Sequence, residues 1–398
     1  MRVSVRGWGL LVVAAALLAV GFRYGYPELA ALGGAGVAAV LAAVAFVAWR
    51  PRLTVQRLAE PDRVTRGETS AVRLRIGNAS RLFGASVVAR DRVGTPGGRR
   101  GTIPVPLVRL RPGRTTDVSY EAPTDRRGVV GTGPLEITRR DPLGLVGVVR
   151  RYGSTVRIWV RPRVHLIAAV PVGLSRSMDG RVDRVPHGSI TFAALREYVV
   201  GDDLRQVHWR TSARVGELMV REHVDTSLPR IVVLLDDRAA AHTRDATGES
   251  TFEAACEAAA SILVAAVQAD VHAELVLVGG ATVAGASASG LAALGPMLDL
   301  LAEATLTGDA RTRDDEPLRA IVQGLRLRRL GDTLIVLTGP PVEEEMGAIA
   351  ALKGAYPSII VGVFGQVESG LGAVAGLLVV GATDGADFAA AWDGVRAW

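Results

Sequence analysis

Two uncharged apolar runs near the N-terminus most constrain what this chain of 398 residues can fold into. Residues 8–22 and 29–49 contain no charged side chain, and neither run shows a polar face. An apolar helix of about 20 residues spans the hydrocarbon core of a bilayer. The first run could alone be a cleaved signal peptide, but the second run argues against that interpretation. With only six residues between them, the two runs predict a transmembrane helical hairpin within residues 1–50.

Arginines on both sides of the hairpin predict how it is oriented. Arg2 and Arg6 precede the first run, and Arg50, Arg52 and Arg57 follow the second. The positive-inside rule places arginine-rich flanks in the cytoplasm. We therefore expect a two-pass protein of the cell membrane, with both termini and the bulk of the chain cytoplasmic and membrane lipid as a partner.

Short alternating strands, broken by turn residues, run through residues 51–165. Residues 71–76 read AVRLRI, in which apolar side chains alternate with arginines before a Gly-Asn turn. Regularly spaced short strands without a helical period predict a small antiparallel β-sandwich. This portion holds 23 arginines and nine acidic residues, a net charge of +14. The arginines are spread singly and show no aromatic platform, so we do not predict nucleic-acid binding.

The rhythm changes to strand and then helix over residues 229–398, where 11 basic residues face 22 acidic ones. The run IVVLLDD at 231–237 is typical of a buried parallel strand. The alternation predicts a doubly wound, mostly parallel α/β domain. Cys256, the only cysteine, is predicted to be buried in a helix, and the glutamates at 343–345 are predicted to begin another helix.

Asp236 and Asp237 follow that first strand, at the sheet edge where ligands bind in doubly wound folds. An apolar strand that ends in Asp and opens such a domain resembles a von Willebrand factor A domain. That family binds a divalent cation through an Asp-x-Ser-x-Ser loop, helped by a Thr and an Asp from other loops. Here Arg238 and Ala240 replace the two serines. Hard cations need converging oxygen ligands, so we predict a degenerate site without metal or other cofactor, in which Arg238 supplies a built-in cation.

Residues 195–222 resemble the signature of the domain of unknown function 58 family, whose members carry it just ahead of a von Willebrand A-like domain. The turn at 140–145, reading RDPLGL, resembles another segment of these proteins. The resemblance implies a bacterial, membrane-anchored scaffold or adaptor, encoded beside MoxR-type AAA+ ATPases, and it brings no enzymatic activity. The matching residues, predicted to be structural or partner-docking, include Arg196, Glu197, Tyr198, Gly201, Asp202, Asp203, Arg205, Trp209, Ser212, Arg214, Arg221 and Glu222.

These observations predict four portions: the hairpin at 1–50, a β-sandwich-like domain at 51–165, the signature segment at 166–228 and a von Willebrand A-like domain at 229–398. The opposite net charges of the domains on either side suit either docking of the two halves or a basic face held near anionic lipid. We expect the signature segment to dock the two domains together.

The function that we expect is a membrane-tethered cytoplasmic scaffold whose von Willebrand A-like domain binds a protein, by resemblance a MoxR-type ATPase. One alternative is a protein-binding module that depends on a divalent metal. A second is a hydrolase with Ser212 as nucleophile, His208 as base and Asp203 as orienting acid. No G-x-S-x-G elbow accompanies these three residues, and we expect His208 to be a hydrogen-bonded structural residue.

Overall fold

A computed structural model describes residues 2–48, 53–79, 85–94, 100–171, 175–176, 182–183, 194–198, 208–222, 230–244, 249–280, 282–284, 291–310, 314–328, 332–365 and 377–395. The chain divides into two compact units, Met1–Arg161 and Pro162–Trp398.

The first unit begins with two apolar helices, α1 (Val5–Tyr24) and α2 (Pro27–Ala48). Both are long and apolar enough to cross a membrane. They pack closely through small residues: a Cβ on Gly33 would lie 2.8 Å from the carbonyl oxygen of Ala14, and one on Gly21 would lie 2.6 Å from the nitrogen of Ala30. Larger side chains at either glycine would push the helices apart, as expected where small residues mediate helix packing in lipid.

The strands of the first unit form two sheets. Strands β2, β4 and β7 form an antiparallel three-stranded sheet, and the remaining seven form a sheet whose main path runs β1-β9-β8-β10-β3, with β5 paired to β8 and β6 to β5. The strands are β1 (Arg2–Val3), β2 (Leu53–Glu60), β3 (Arg63–Thr65), β4 (Ala71–Asn78), β5 (Ala85–Gly94), β6 (Arg100–Leu110), β7 (Thr115–Glu121), β8 (Gly128–Arg140), β9 (Val146–Tyr152) and β10 (Val156–Arg161).

One hydrophobic cluster lies between these two sheets. Leu74 and Ile76 of β4 are fully buried, whereas the arginines between and before them are exposed, so the predicted alternation is confirmed. Leu135 and Ile158, from the seven-stranded sheet, belong to the same cluster. Burial of apolar side chains from both sheets is the main stabilising contribution to this unit.

A buried polar group joins the two sheets. Arg57 Nη2 lies 2.6 Å from Asp91 Oδ1, and the Tyr120 hydroxyl donates to Asp91 Oδ2 over 2.5 Å. Arg57 also donates to the carbonyl oxygen of Ser154. Burial, together with the hydrogen bond to Asp91, raises the pKa of Tyr120 above its ordinary value. The charges of Arg57 and Asp91 are therefore tolerated inside because each compensates the other.

The second unit is built on a six-stranded sheet of order β17-β16-β15-β18-β19-β20, parallel except for the edge strand β17. Two short antiparallel pairs, β11 with β12 and β13 with β14, come before it in the chain. The elements are β11 (Ser175–Arg176), β12 (Val182–Asp183), β13 (Ala194–Glu197), α3 (Trp209–Val215), β14 (Met219–Glu222), β15 (Arg230–Leu235), α4 (Thr251–Gln268), β16 (His272–Leu277), β17 (Thr282–Ala284), α5 (Leu291–Glu303), α6 (Glu316–Arg328), β18 (Thr333–Thr338), α7 (Glu343–Ala350), β19 (Ser358–Phe364), β20 (Leu378–Ala382) and α8 (Gly385–Asp393).

The strand order reverses between β15 and β18. From β15 the chain continues to β16 on one side of the sheet, and β18, β19 and β20 then follow on the other side. In open α/β sheets, such a reversal opens a crevice outside the carboxyl ends of the strands, and ligands bind there. Helix α4 packs on one face of the sheet with Cys256 fully buried, as predicted.

Candidate functional site

The candidate site lies at this reversal, where Asp236 follows β15 and Thr338 ends β18. The backbone N–H of Asp236 donates to the carbonyl oxygen of Leu337, which holds the two strand ends together. The Thr338 hydroxyl donates to Asp236 Oδ2 over 2.9 Å. The predicted position of Asp236, at the carboxyl edge of the first strand, is thus observed.

Arg238 turns back onto Asp236 and binds both of its carboxylate oxygens. Nε lies 2.9 Å from Oδ1 and Nη2 lies 2.8 Å from Oδ2, and the backbone N–H of Arg238 donates to Oδ1 over 3.1 Å. This is the bidentate arginine–carboxylate geometry, which is both strong and directional.

Two further acidic residues complete the surroundings of the guanidinium. Nη2 lies 2.9 Å from Glu345 Oε1, and Nη1 lies 3.3 Å from Asp315 Oδ1 and 3.2 Å from the carbonyl oxygen of Asp314. Glu345 Oε2 accepts the N–H of Val342 at the start of α7, so the same carboxylate caps that helix. We call Asp236, Arg238, Asp315, Thr338 and Glu345 the Arg238 cluster.

The Arg238 cluster is a buried ionic group with one cation and three carboxylates. The side chains of Arg238, Asp236 and Glu345 are only 7%, 2% and 2% exposed. Burial alone lowers the pKa of Arg238, but the hydrogen bonds and charges of Asp236 and Glu345 outweigh it, so the pKa lies above its ordinary value. The guanidinium therefore stays charged at every physiological pH.

The residues present do not fit the divalent cation that the von Willebrand A resemblance implies. Arg238 donors engage both oxygens of Asp236 and one oxygen of Glu345, which removes the converging acceptors that a hard cation requires. Ala240 lies in a short 3-10 turn, Ala239–Ala241, and brings no oxygen ligand in its side chain. Within the described ranges, no group of three or more His, Cys, Asp or Glu side chains is placed to hold a metal.

Two buried titratable residues flank the Arg238 cluster. His242 Nε2 lies 2.7 Å from the carbonyl oxygen of Asp236, and Nδ1 lies 3.0 Å from Thr251 Oγ1. Because a carbonyl only accepts, Nε2 carries the hydrogen; burial lowers the pKa of the ring, which stays neutral at pH 7. Asp237 Oδ1 accepts the N–H of Gly279 over 2.7 Å, and burial raises the pKa of that carboxyl group.

Glu345 was predicted only to begin a helix, and Asp315, Thr338 and His242 were not predicted to lie near Asp236. The signal available for Thr338 is its position directly after the apolar run TLIVL, which places it at the same edge as Asp236. The resemblance also pointed to a Thr and an Asp from other loops, without saying which ones.

The signature segment pairs its two ends as β13 and β14. Arg196 faces Val220 and Glu197 faces Met219 in an antiparallel register, and the Tyr198 N–H donates to the carbonyl oxygen of Leu218. The side chains of Arg196, Glu197, Arg221 and Glu222, with all of Gly201, Asp202, Asp203 and Arg205, lie outside the described residues. The role of the segment between the two units stays a prediction.

The hydrogen bonds of His208 and Ser212 are local. His208 precedes α3 and caps it: Nδ1 lies 3.2 Å from the backbone N of Thr211 and 2.7 Å from its hydroxyl. Ser212 Oγ donates to the carbonyl oxygen of His208 and accepts the N–H of Met219, which ties α3 to β14. Asp203, the third residue of the hydrolase hypothesis, lies outside the described residues. Trp209 is 64% exposed, and Arg214 is exposed as well.

Residues 194–321 match the family model described as Protein of unknown function DUF58. No curated protein matches the chain. Similar solved structures include the Pseudomonas fluorescens alkylpurine DNA glycosylase AlkC (9% identity, TM-score 0.23) and the putative ApaA protein of Bordetella pertussis (12% identity, TM-score 0.22). The match covers 37% of this chain and 42% of the glycosylase chain, and 28% of this chain and 94% of the ApaA chain. At such TM-scores these likenesses establish neither fold nor function.

The matched region contains the signature residues from Arg196 to Glu222, together with Asp236, Arg238 and Asp315 of the Arg238 cluster. The resemblance to the domain of unknown function 58 family is thereby confirmed by a family-model match over residues 194–321.

Proposed function

We propose that this protein is a membrane-tethered cytoplasmic scaffold or adaptor. Its second unit is a von Willebrand A-like domain that binds a protein partner at the carboxyl edge of the six-stranded sheet without a metal ion. Its first unit is a β-sandwich carried on a transmembrane hairpin. By family resemblance, the partner is a MoxR-type AAA+ ATPase in an envelope-related assembly.

The observation that carries this proposal is the position of the Arg238 guanidinium. It lies at the reversal of strand order, bound to Asp236, Asp315 and Glu345. Ligands of doubly wound folds bind at this place, and here the protein itself supplies the positive charge. The edge is thus pre-formed, and a partner that docks there meets a surface whose shape does not depend on free cation.

The packing of the hairpin against the β8–β9 region of the first unit supports a membrane tether. The N-terminal end of α1 is bonded to the β8–β9 turn through the N–H of Ser4 and the carbonyl oxygen of Leu145. Near its C-terminal end α2 packs against the same region, where Val47 and Val146 belong to one hydrophobic cluster. Both ends of the hairpin therefore lie on one side of any bilayer that the helices cross, and the flanking arginines favour the cytoplasmic side.

The test is affinity purification of the full chain from detergent-solubilised membranes, in EDTA and in Mg²⁺. We expect a MoxR-type ATPase to be recovered equally in both. Leu306 is 39% exposed beside Thr307, whose N–H donates to the carbonyl oxygen of Asp237 at this edge, so Leu306→Glu should reduce recovery at least fivefold. Leu327 is 85% exposed near the C-terminal end of α6, whereas Asp315 at the other end of that helix contacts Arg238, so Leu327→Glu is the matched control.

Each alternative gives a different result. Recovery that requires Mg²⁺ and disappears in Asp236→Ala indicates the metal-dependent binding module and overturns the proposal. Loss of hydrolytic activity in Ser212→Ala, with folding, membrane insertion and partner recovery intact, indicates the hydrolase. Recovery of generic chaperones alone refutes the ATPase as partner.

A further inference from the structure

We propose that the base of the hairpin contains a binding site for the headgroup of an anionic phospholipid, formed by Arg2 and Arg140 on either side of Gly147. The inference rests on the membrane tether proposed above, and it assigns a lipid class that the tether alone does not require.

The β8–β9 turn is fixed against the first turn of α1. Ser4 Oγ donates to the carbonyl oxygen of Gly144 over 2.7 Å, and the Ser4 N–H donates to that of Leu145 over 2.8 Å. Asp141 shapes the turn by accepting the N–H groups of Leu143 and Val146 at 2.9 and 2.6 Å. Since the uncharged run of α1 begins at Trp8, one helical turn after Ser4, the β8–β9 turn lies at the level of the lipid headgroups if the hairpin spans the bilayer.

Arg2 and Arg140 share one face of the sheet at this level. Both pair in register with Gly147, Arg2 from β1 and Arg140 from β8. Directly opposed residues of neighbouring strands point to the same face, so the two arginines flank the glycine with Cα atoms about 10 Å apart. Both residues are exposed, and within the described ranges neither lies within ion-pair distance of a carboxylate.

Gly147 leaves a floor without a side chain between the two arginines. A Cβ at this position would lie 3.6 Å from Arg140 Cγ, so the stem of Arg140 runs along the gap that the missing side chain leaves. The side chains of Arg2 and Arg140 start from the two sides of this floor, and paired guanidinium donors match the two free oxygens of a phosphodiester.

Apolar side chains beside the arginines favour a lipid over free phosphate. Leu143, at the tip of the turn, and Trp8, in the second turn of α1, are each 61% exposed. A leucine at an exposed turn tip gains nothing in water, but it buries apolar area when the turn dips into the interfacial region. Tryptophan is the residue most typical of that region. Arginine donors with apolar neighbours fit a headgroup attached to acyl chains.

The experiment uses the full chain in detergent micelles, titrated with phosphatidylglycerol or phosphatidylcholine, with bound lipid counted by native mass spectrometry. We expect phosphatidylglycerol to bind in preference. Arg2→Gln and Arg140→Gln should each weaken its binding about fivefold, and together roughly 25-fold. Arg126, exposed just before the opposite end of β8, provides the control: Arg126→Gln should change nothing. Gly147→Leu keeps both charges but fills the floor, and it should also weaken binding.

Equal binding of the two lipids, or unchanged binding in the double arginine variant and in Gly147→Leu, would overturn the proposal. If inorganic phosphate at millimolar concentration displaces phosphatidylglycerol as well as free lipid does, the site is a phosphate site and the lipid assignment is wrong. If the proposed membrane tether is wrong, alkaline carbonate will extract the chain from membranes, and this result does not depend on which lipid the chain binds.

Discussion

Replacing Arg238 by alanine is the most direct test of the built-in cation. The change removes the guanidinium that binds Asp236 and Glu345, whose side chains are each only 2% exposed. Two carboxylates are then left buried without a counter-charge. The Thr338 hydroxyl still donates to Asp236, and the Val342 N–H still donates to Glu345, but neither neutral donor replaces a charge.

The expected loss follows from breaking a buried ion pair on one side only. Such changes cost about 3–5 kcal/mol, because the remaining charge is desolvated and unpaired. Since 1.4 kcal/mol corresponds to a factor of about ten, local opening of β15 and β18 should become roughly a hundred to several thousand times more frequent. Arg238→Lys keeps the charge but not the bidentate geometry, and it should fall between wild type and Arg238→Ala.

Hydrogen exchange of the full chain in detergent, read by mass spectrometry on peptides covering β15 and β18, measures this loss. Exchange in β8 of the first unit serves as an internal reference. Arg326 is exposed on α6 of the same unit, and Arg326→Ala should leave the exchange of both strands within about twofold of wild type. The reasoning is refuted if Arg238→Ala accelerates exchange less than tenfold, or no more than Arg326→Ala does.

Two predictions concern pH. Burial raises the pKa of Asp237 above its unfolded value of 3.8, so its contribution to stability is fully present below that pH and is lost as pH rises through the folded pKa. The melting temperature of Asp237→Asn should therefore rise relative to that of wild type as the pH is raised from 4 to 7. Parallel curves of melting temperature against pH would contradict this expectation. Burial lowers the pKa of His242 below 6.5, so its contribution to stability is present above pH 6.5 and is lost as pH falls through the folded pKa. His242→Gln should therefore lose less thermal stability than wild type when the pH is lowered from 7 to 5. The same series of thermal unfolding curves measures this difference.

Much of the fold was predictable because its signals are local. The apolar runs predicted α1 and α2, and the alternation at 71–76 predicted β4 and the side chains that it buries. Helix α6 was missed, although Leu318, Val322 and Leu325 recur at helical spacing, because its charged residues obscured the short apolar stripe. Strand β1 has only two residues, and two residues cannot show a period.

The same distinction explains which contacts of the Arg238 cluster could be predicted. Asp236 and Arg238 are two residues apart after a strand end, so their pairing was foreseeable from the loop sequence alone. Glu345 and Asp315 are 107 and 77 residues from Arg238. They reach the guanidinium only because β18 lies next to β15, and a single sequence does not fix the order of strands in a parallel sheet.

An arginine and a divalent cation at the edge of this sheet would be controlled in different ways. A divalent cation binds and leaves according to its concentration, and its vacant positions accept ligand atoms from a partner. The guanidinium of Arg238 is covalently attached, and it already donates to Asp236, Asp315 and Glu345. A partner therefore cannot complete its coordination as it would complete that of a metal. Under the proposed function, the partner would instead recognise the surrounding surface, including Leu306, and its binding would be independent of cation concentration. If the proposed scaffold is switched, the switch would act on the partner, on access to the edge or on the membrane end of the chain. The Leu306 variant in EDTA and the lipid titration at Arg2 and Arg140 test the second and third of these routes separately.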